Sequence, residues 1–243
     1  MICDAKNVVS GIADILFPPE CAVCGAILTG SGDDLFCSGC LSMFNLISPP
    51  LCTACGAPFA DTGGTNHLCE DCIVSRPPFS MARAVGRYDA ALLDAIHLFK
   101  YHGKISIGKA LGKMMAQIRY DSLAIENYST IMPVPLHARR LRERGFNQSL
   151  ILAKQISDIF SLPLDFLTLR RKTRTEAQVS LSRKERASNV RGAFEVTDVN
   201  AVENKRILLI DDVYTTGSTV KECSKTLMKN GAAEVAVLTL SRA

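Results

Sequence analysis

The chain has 243 residues, 47% of them hydrophobic and 21% charged, enough for one α/β domain and a small second unit. That balance excludes a disordered chain, and no run reaches the roughly 18 apolar residues that a membrane-crossing helix needs. Residues 1–80 hold two basic and eight acidic side chains, a net −6, and the remainder is net +10, so two units with different partners are expected, the basic one meeting an anion.

At the N-terminus Asp4 and Asp14 break the pattern of a signal peptide, so a cytoplasmic protein is expected. Residues 7–17, NVVSGIADILF, place Val8, Val9, Ile12, Ile15 and Leu16 at helical spacing, and Pro18-Pro19 stops the short helix they predict. Residues 21–72 are loop-rich and contain eight of the ten cysteines. Pro77-Pro78 reads as a linker dividing a unit 1–78 from a unit 79–243. Beyond it, SMARAVGRYD reads as a strand, 91–101 and 107–119 as helices, STIMPVPL (129–136) as a strand ended by proline, and FNQSLILAKQISDIF (146–160) as a helix. LDFLTLR is a short strand, and 170–191 is a long basic stretch poor in apolar periodicity. GAFEVT and residues 206–211 are strands, 219–229 a helix and AEVAVLTL the last strand. Strands alternating with helices predict a mostly parallel twisted sheet with helices on both faces, which binds ligands beyond the carboxyl ends of its strands.

The cysteines form four C-x-x-C pairs: Cys21/Cys24, Cys37/Cys40, Cys52/Cys55 and Cys69/Cys72. CAVCGA…CSGC and CTACGA…CEDC repeat at an offset of 31, then 32, residues, so two equivalent small units are expected. Units this small need a staple, and four thiolates complete the tetrahedron of a structural Zn²⁺, with two ions per chain. An iron–sulfur cluster is the alternative metal. The first pair is expected to join the second and the third the fourth; a crossed arrangement and replacement of a ligand by His67 stay open. Cys3 and Cys223 read as plain thiols, and filled four-thiolate sites leave no coordination position for catalysis.

In RILLIDDVYTTGSTV (206–220) four apolar residues, Ile207 to Ile210, run into Asp211 and Asp212, followed by Tyr214, Thr215, Thr216, Gly217, Ser218 and Thr219. A Thr/Gly/Ser turn before a helix offers N–H groups and hydroxyls to a phosphate, and Gly217 lets the backbone approach closely. It is neither a P-loop nor a dinucleotide fingerprint. A ribose 5-phosphate unit reconciles carboxylates with an anion site: the turn takes the phosphate, and Asp211 and Asp212 accept hydrogen bonds from the sugar hydroxyls. The same carboxylates suit a Mg²⁺ bridging ribose and pyrophosphate oxygens.

ILLIDDVYTTGST is similar to the phosphoribosyl-pyrophosphate (PRPP) motif of type I phosphoribosyltransferases. With IMPVPLHARRLRERGFNQS (131–149), LRRKTRTEAQVSLSRKERASNVRGAF (169–194), LFKYHGK and the cysteine-rich N-terminus, nearly the whole chain resembles the ComF family, which is associated with competence. The resemblance implies a type I phosphoribosyltransferase fold with a zinc-binding N-terminal region, Asp211 and Asp212 as the catalytic pair, and Tyr214 to Thr219 as the PRPP turn. It implies a pyrophosphate loop at Val134, Pro135 and Leu136 with Arg139 and Arg140 behind it, and a flexible loop carrying Arg171, Lys172 and Arg174. Lys100 is a further ligand-facing candidate, whereas His97 and His102 are expected to pack or cap. It further implies PRPP, Mg²⁺ and an acceptor it does not identify, with the zinc units as candidates for the acceptor-binding hood. The alternative is a non-catalytic PRPP sensor that handles single-stranded DNA, plausibly beside a competence helicase.

Overall fold

The computed structural model describes residues 18–28, 35–61, 63–120, 122–172 and 190–243; the expected helix at 7–17, Cys3 and Arg174 lie outside them. In chain order the elements are α1 (Ser38–Ser42), α2 (Glu70–Val74), β1 (Met81–Arg87), α3 (Ala90–Tyr101), α4 (Ile105–Gln117), β2 (Thr130–Pro133) and α5 (Ala138–Arg144). They continue with α6 (Gln148–Phe160), β3 (Leu169–Arg171), β4 (Phe194–Val196), β5 (Arg206–Tyr214), α7 (Ser218–Lys229) and β6 (Glu234–Arg242).

Four strands form a parallel sheet in the order β1-β6-β5-β2. The run Ile207–Ile210 is apolar throughout because β5 is covered on both sides. Alternation sends Leu208 and Ile210, with Ile131, Val85, Ala236 and Leu238, to the layer of α3, α4 and α6. Ile207 and Leu209, with Met132, Ala82, Val235 and Val237, face α7. Gly112 of α4 lies so close to α6 that an added Cβ would sit 2.8 Å from Gln155.

The two cysteine units fall on opposite sides of this sheet. Cys21, Phe36, Cys40 and Phe44 join the α3 layer, whereas Cys52, Ala54, Cys55 and Cys72 join the α7 layer. Between them they cover the outer edge of β1: Val85 O accepts from Ile47 N at 2.9 Å, Asn45 O from Arg87 N at 2.8 Å and Ala54 O from Ala82 N at 2.7 Å. Edge groups that would otherwise invite pairing with another chain are thus occupied. Among the described residues no helix is long and apolar enough to cross a membrane.

Three details differ from the sequence expectation. LDFLTLR and GAFEVT do not extend the parallel sheet: β3 and β4 pair with each other, antiparallel, and only Leu164 bridges to Ile131. The strand expected at 206–211 runs on to Tyr214, so the aspartates sit inside its last turn of pleat. Finally, 138–144 is a helix that buries none of its residues, so apolar periodicity gave no sign of it; His137 caps its start and Gly145, at φ 81°, its end.

Candidate functional site

Each cysteine unit brings four thiols together. Cys21, Cys24, Cys37 and Cys40 form one set and Cys52, Cys55, Cys69 and Cys72 the other, with all sulfurs of a set within 4.8 Å of one another. The pairing is first with second and third with fourth, and not crossed. Sulfurs 3.6 Å apart (Cys24–Cys37) and 3.7 Å apart (Cys55–Cys69) are far beyond a disulfide bond but suit a shared ion. Backbone N–H groups of Cys37 and Cys69 donate to Cys21 Sγ and Cys52 Sγ at 3.3 Å each, which favours thiolate character. The residues present therefore fit two structural Zn²⁺. His67 is outside both sets; it stacks on Phe59 with ring centroids 3.9 Å apart.

On the other side of β1's partner strands, β5 carries Asp211 and Asp212 into a cavity of about 360 Å³ at the carboxyl edge of the sheet. Ser149 of α6 donates to Asp211 Oδ1 at 2.9 Å, and the Asp212 backbone N–H donates to the same oxygen at 2.9 Å. Lys100, in the last turn of α3, meets Asp212 Oδ2 at 2.9 Å, with the two side chains 13% and 15% exposed. Burial, reinforced by the adjacent Asp212 carboxylate, pushes the Asp211 carboxyl up to about 7 despite its two hydrogen bonds and Lys100. Burial opposes the Lys100 charge, but Asp212 outweighs it and holds the ammonium above the ordinary lysine range.

The opposite wall is basic. Val134, Pro135 and Leu136 follow β2 into α5, which contributes Arg139, Arg140 and Arg144, and β3 adds Arg171. Arg139 is tied to Glu143 at 2.6 Å, and the Arg144 guanidinium lies 5.4 Å from the Tyr101 ring centroid. With Lys100, five cations face three carboxylates, Asp211, Asp212 and Glu143, around one volume. Thr215 and Thr219 close it beside the start of α7. Gly217 caps that helix at φ 72°, and a Cβ there would run into the Tyr214 ring, so this position requires glycine.

Of the residues singled out from the sequence, the structure brings Lys100, Val134, Pro135, Leu136, Arg139, Arg140, Arg171, Asp211, Asp212, Thr215 and Thr219 together around this cavity. Thr216, Gly217 and Ser218 shape the turn without lining the cavity; Thr216 Oγ1 and Ser218 Oγ are 2.8 Å apart. Tyr214 is turned away, 4% exposed, beneath the Arg242 guanidinium at 4.4 Å. Lys172 is exposed outside the cavity. His97 packs against Tyr88, and His102 ends α3. The described residues of the cysteine units do not roof this cavity. Instead Cys55, Asp71 and Cys72 border a separate recess of about 330 Å³ behind the turn, with Tyr214, Thr215, Thr216, Lys221 and Arg242. Tyr101, His137, Arg144, Gln148 and Ser149 also line the main cavity; they stand in the segments LFKYHGK and 131–149 that carry the family resemblance, but no role was assigned to them from the sequence.

The raised Asp211 has a measurable consequence. Its surroundings are Asp212 and Lys100 in front, Arg171 from β3 and Cys223 from α7. A folded-state value near 7 against 3.8 means that its protonated form favours folding. That contribution is complete below about pH 4 and is lost as pH rises through 7. Asp211→Asn keeps the Oδ1 acceptor, so it should melt higher than wild type at pH 8, by a few kcal/mol at most, with the gap closing towards pH 5. Thermal unfolding of both proteins at the two pH values checks this.

Two family models agree with this anatomy. Residues 12–73 match the double zinc ribbon domain, and residues 147–243 match the phosphoribosyl transferase domain. Competence protein F of Haemophilus influenzae is 32% identical over 179 residues, 72% of this chain and 78% of that protein. Competence protein ComFC of Bacillus subtilis is 28% identical over 217 residues, 86% of this chain and 85% of that one. A glutamine PRPP amidotransferase structure from B. subtilis aligns over 54% of this chain and 25% of its own, at 23% identity and a TM-score of 0.38. Identity of this extent with competence protein F, over more than two thirds of each chain, makes this protein a member of the ComF family.

Proposed function

We propose that this protein binds PRPP with Mg²⁺ and transfers its phosphoribosyl group to an acceptor, releasing pyrophosphate. The observation that carries the reading is the gathering of Asp211, Asp212, Thr215, Thr219 and five cations around one cavity. No single simple anion uses such a set, whereas a sugar bearing a phosphate at one end and a diphosphate at the other uses all of it.

Thr215, Thr219 and the start of α7 take the 5-phosphate, and Asp211 and Asp212 accept from the ribose hydroxyls. Arg139, Arg140, Arg144 and Arg171 face the diphosphate. Mg²⁺ fits the hard oxygens of Asp211 and Asp212 and, when bound, supplies positive charge beside the diphosphate. The bond from C1 to the diphosphate oxygen breaks, the electron pair leaves with pyrophosphate, and an acceptor lone pair forms the new bond at C1. The acceptor's proton passes to solvent. Positive charge developing on the ring lies beside the two carboxylates, so the chain contributes positioning and electrostatics, without a covalent nucleophile.

Pyrophosphate release from Mg²⁺–PRPP over a panel of nucleobases, ammonia and glutamine tests this. Release with one acceptor and not the others is expected; silence across the panel together with no binding of PRPP overturns it. The net +10 of residues 81–243, with relatives named for competence and DNA utilization, favours a second reading. There PRPP is a signal for single-strand handling in the cytoplasm. It is distinguished by PRPP changing a salt-dependent affinity for single-stranded DNA with no pyrophosphate released.

A further inference from the structure

We infer that Gln148 reads the substrate directly, its side-chain amide donating a hydrogen bond to the diphosphate; this rests on the phosphoribosyl reading above. Gln148 is the first residue of α6, lines the cavity and is 1% exposed, yet its Nε2 has no hydrogen-bond partner. Buried polar atoms are nearly always paired, and an unpaired one costs about 1–3 kcal/mol. A leucine of similar size would avoid that cost. An amide kept in such a place is therefore suited to a partner that is not part of the protein.

Its neighbours fix where that partner lies. Asn147 donates through Nδ2 to Val134 O at 3.1 Å, and its Oδ1 accepts from Ser149 N at 3.0 Å. Ser149 in turn holds Asp211 at 2.9 Å. The backbone on both sides of Gln148 is thus tied, one end to the Val134–Leu136 loop and the other to the carboxylate pair. Gln148 stands between Asn147 and Ser149 in the chain, and on the phosphoribosyl reading the cavity there takes the junction of ribose and diphosphate. The positive end of the 13-residue α6 opens at the same point and adds to the preference for an anionic oxygen there. Held by these ties, the donor needs little reorganisation on binding.

Calorimetric titration of wild type, Gln148→Leu and Gln148→Glu with Mg²⁺–PRPP, Mg²⁺–pyrophosphate and ribose 5-phosphate tests the inference, alongside thermal unfolding of the ligand-free proteins. Gln148→Leu should unfold no earlier than wild type. It should bind PRPP and pyrophosphate roughly ten- to hundred-fold more weakly, the range for a hydrogen bond to a charged group, with ribose 5-phosphate unchanged. Gln148→Glu sets a carboxylate against the diphosphate and should lose at least as much, which keeps the test decisive if the leucine variant folds poorly. Wild-type affinity in both variants overturns the inference while leaving the phosphoribosyl reading standing. So does equal loss of all three ligands with earlier unfolding, which marks a structural residue. No binding of PRPP by wild type overturns the reading beneath it as well.

Discussion

Replacing Asp212 by Asn is expected to weaken Mg²⁺–PRPP binding about 100-fold or more, some 3 kcal/mol. On the proposed reading the substitution removes a charged acceptor for a ribose hydroxyl and a hard oxygen for Mg²⁺, while changing the shape of the side chain little. It also removes the partner of Lys100, whose ammonium is largely buried at 2.9 Å from Asp212. An ammonium left without its carboxylate costs stability, so Asp212→Asn should melt lower than wild type at pH 8. The neighbouring Asp211→Asn should melt higher at that pH, because it removes a carboxyl that burial keeps near 7. Two adjacent aspartates thus have opposite effects on stability and the same effect on ligand binding. Equal melting shifts of the same sign would contradict the assignment of Lys100 to Asp212 and of the buried proton to Asp211.

The second large effect lies in the cysteines. Cys72→Ser should reduce bound zinc from two ions to one and lower the melting temperature by roughly 10 °C, as several kcal/mol of metal binding is lost from a chain of this size. The damage should also reach the turn at Thr215–Thr219, where the proposed reading seats the 5-phosphate. Ala54 O accepts from β1 at Ala82, and Arg242 donates to Cys55 O at 2.8 Å while covering the Tyr214 ring. Tyr214 in turn lies against Gly217 of the turn. Cys24→Ser in the first set should also cost one zinc, but that set packs into the α3 layer, away from Tyr214. PRPP affinity should fall in the first variant and hold in the second. Native mass spectrometry for the metal and calorimetry for the ligand separate the two; the same loss of PRPP affinity in both variants would show that the turn does not depend on the second set.

What could be read in advance follows from how local each feature is. The four C-x-x-C pairs and their repeat are local, so the two four-thiol sets and their pairing were legible. The run from Ile207 through the aspartates to the Thr-Gly-Ser turn is contiguous, so the core of the site was legible too. Partners brought by other elements were not. That Ser149 reaches Asp211 depends on how α6 lies over β5, and Lys100 depends on where α3 ends. α5 buries nothing and so lacks the periodicity that reveals a helix, although it carries three of the five cavity cations. Tyr214 was placed with the PRPP turn because it stands in the motif. β5 continues through it, and alternation along the strand, with Arg242 above the ring, takes its side chain into the core. The cysteine units were candidates for the acceptor-binding hood; their described residues pack on opposite sheet faces, held by the edge bonds of β1, and lie beside and behind the cavity.

The central claim is that one cavity binds both ends of PRPP. Titration calorimetry of the zinc-loaded wild-type protein with PRPP, with and without Mg²⁺, tests it most directly. One PRPP per chain, bound more tightly with Mg²⁺ and displaced by pyrophosphate and by ribose 5-phosphate each alone, is the predicted result. No heat of binding in the presence of Mg²⁺, or binding displaced by only one of the two, would contradict it.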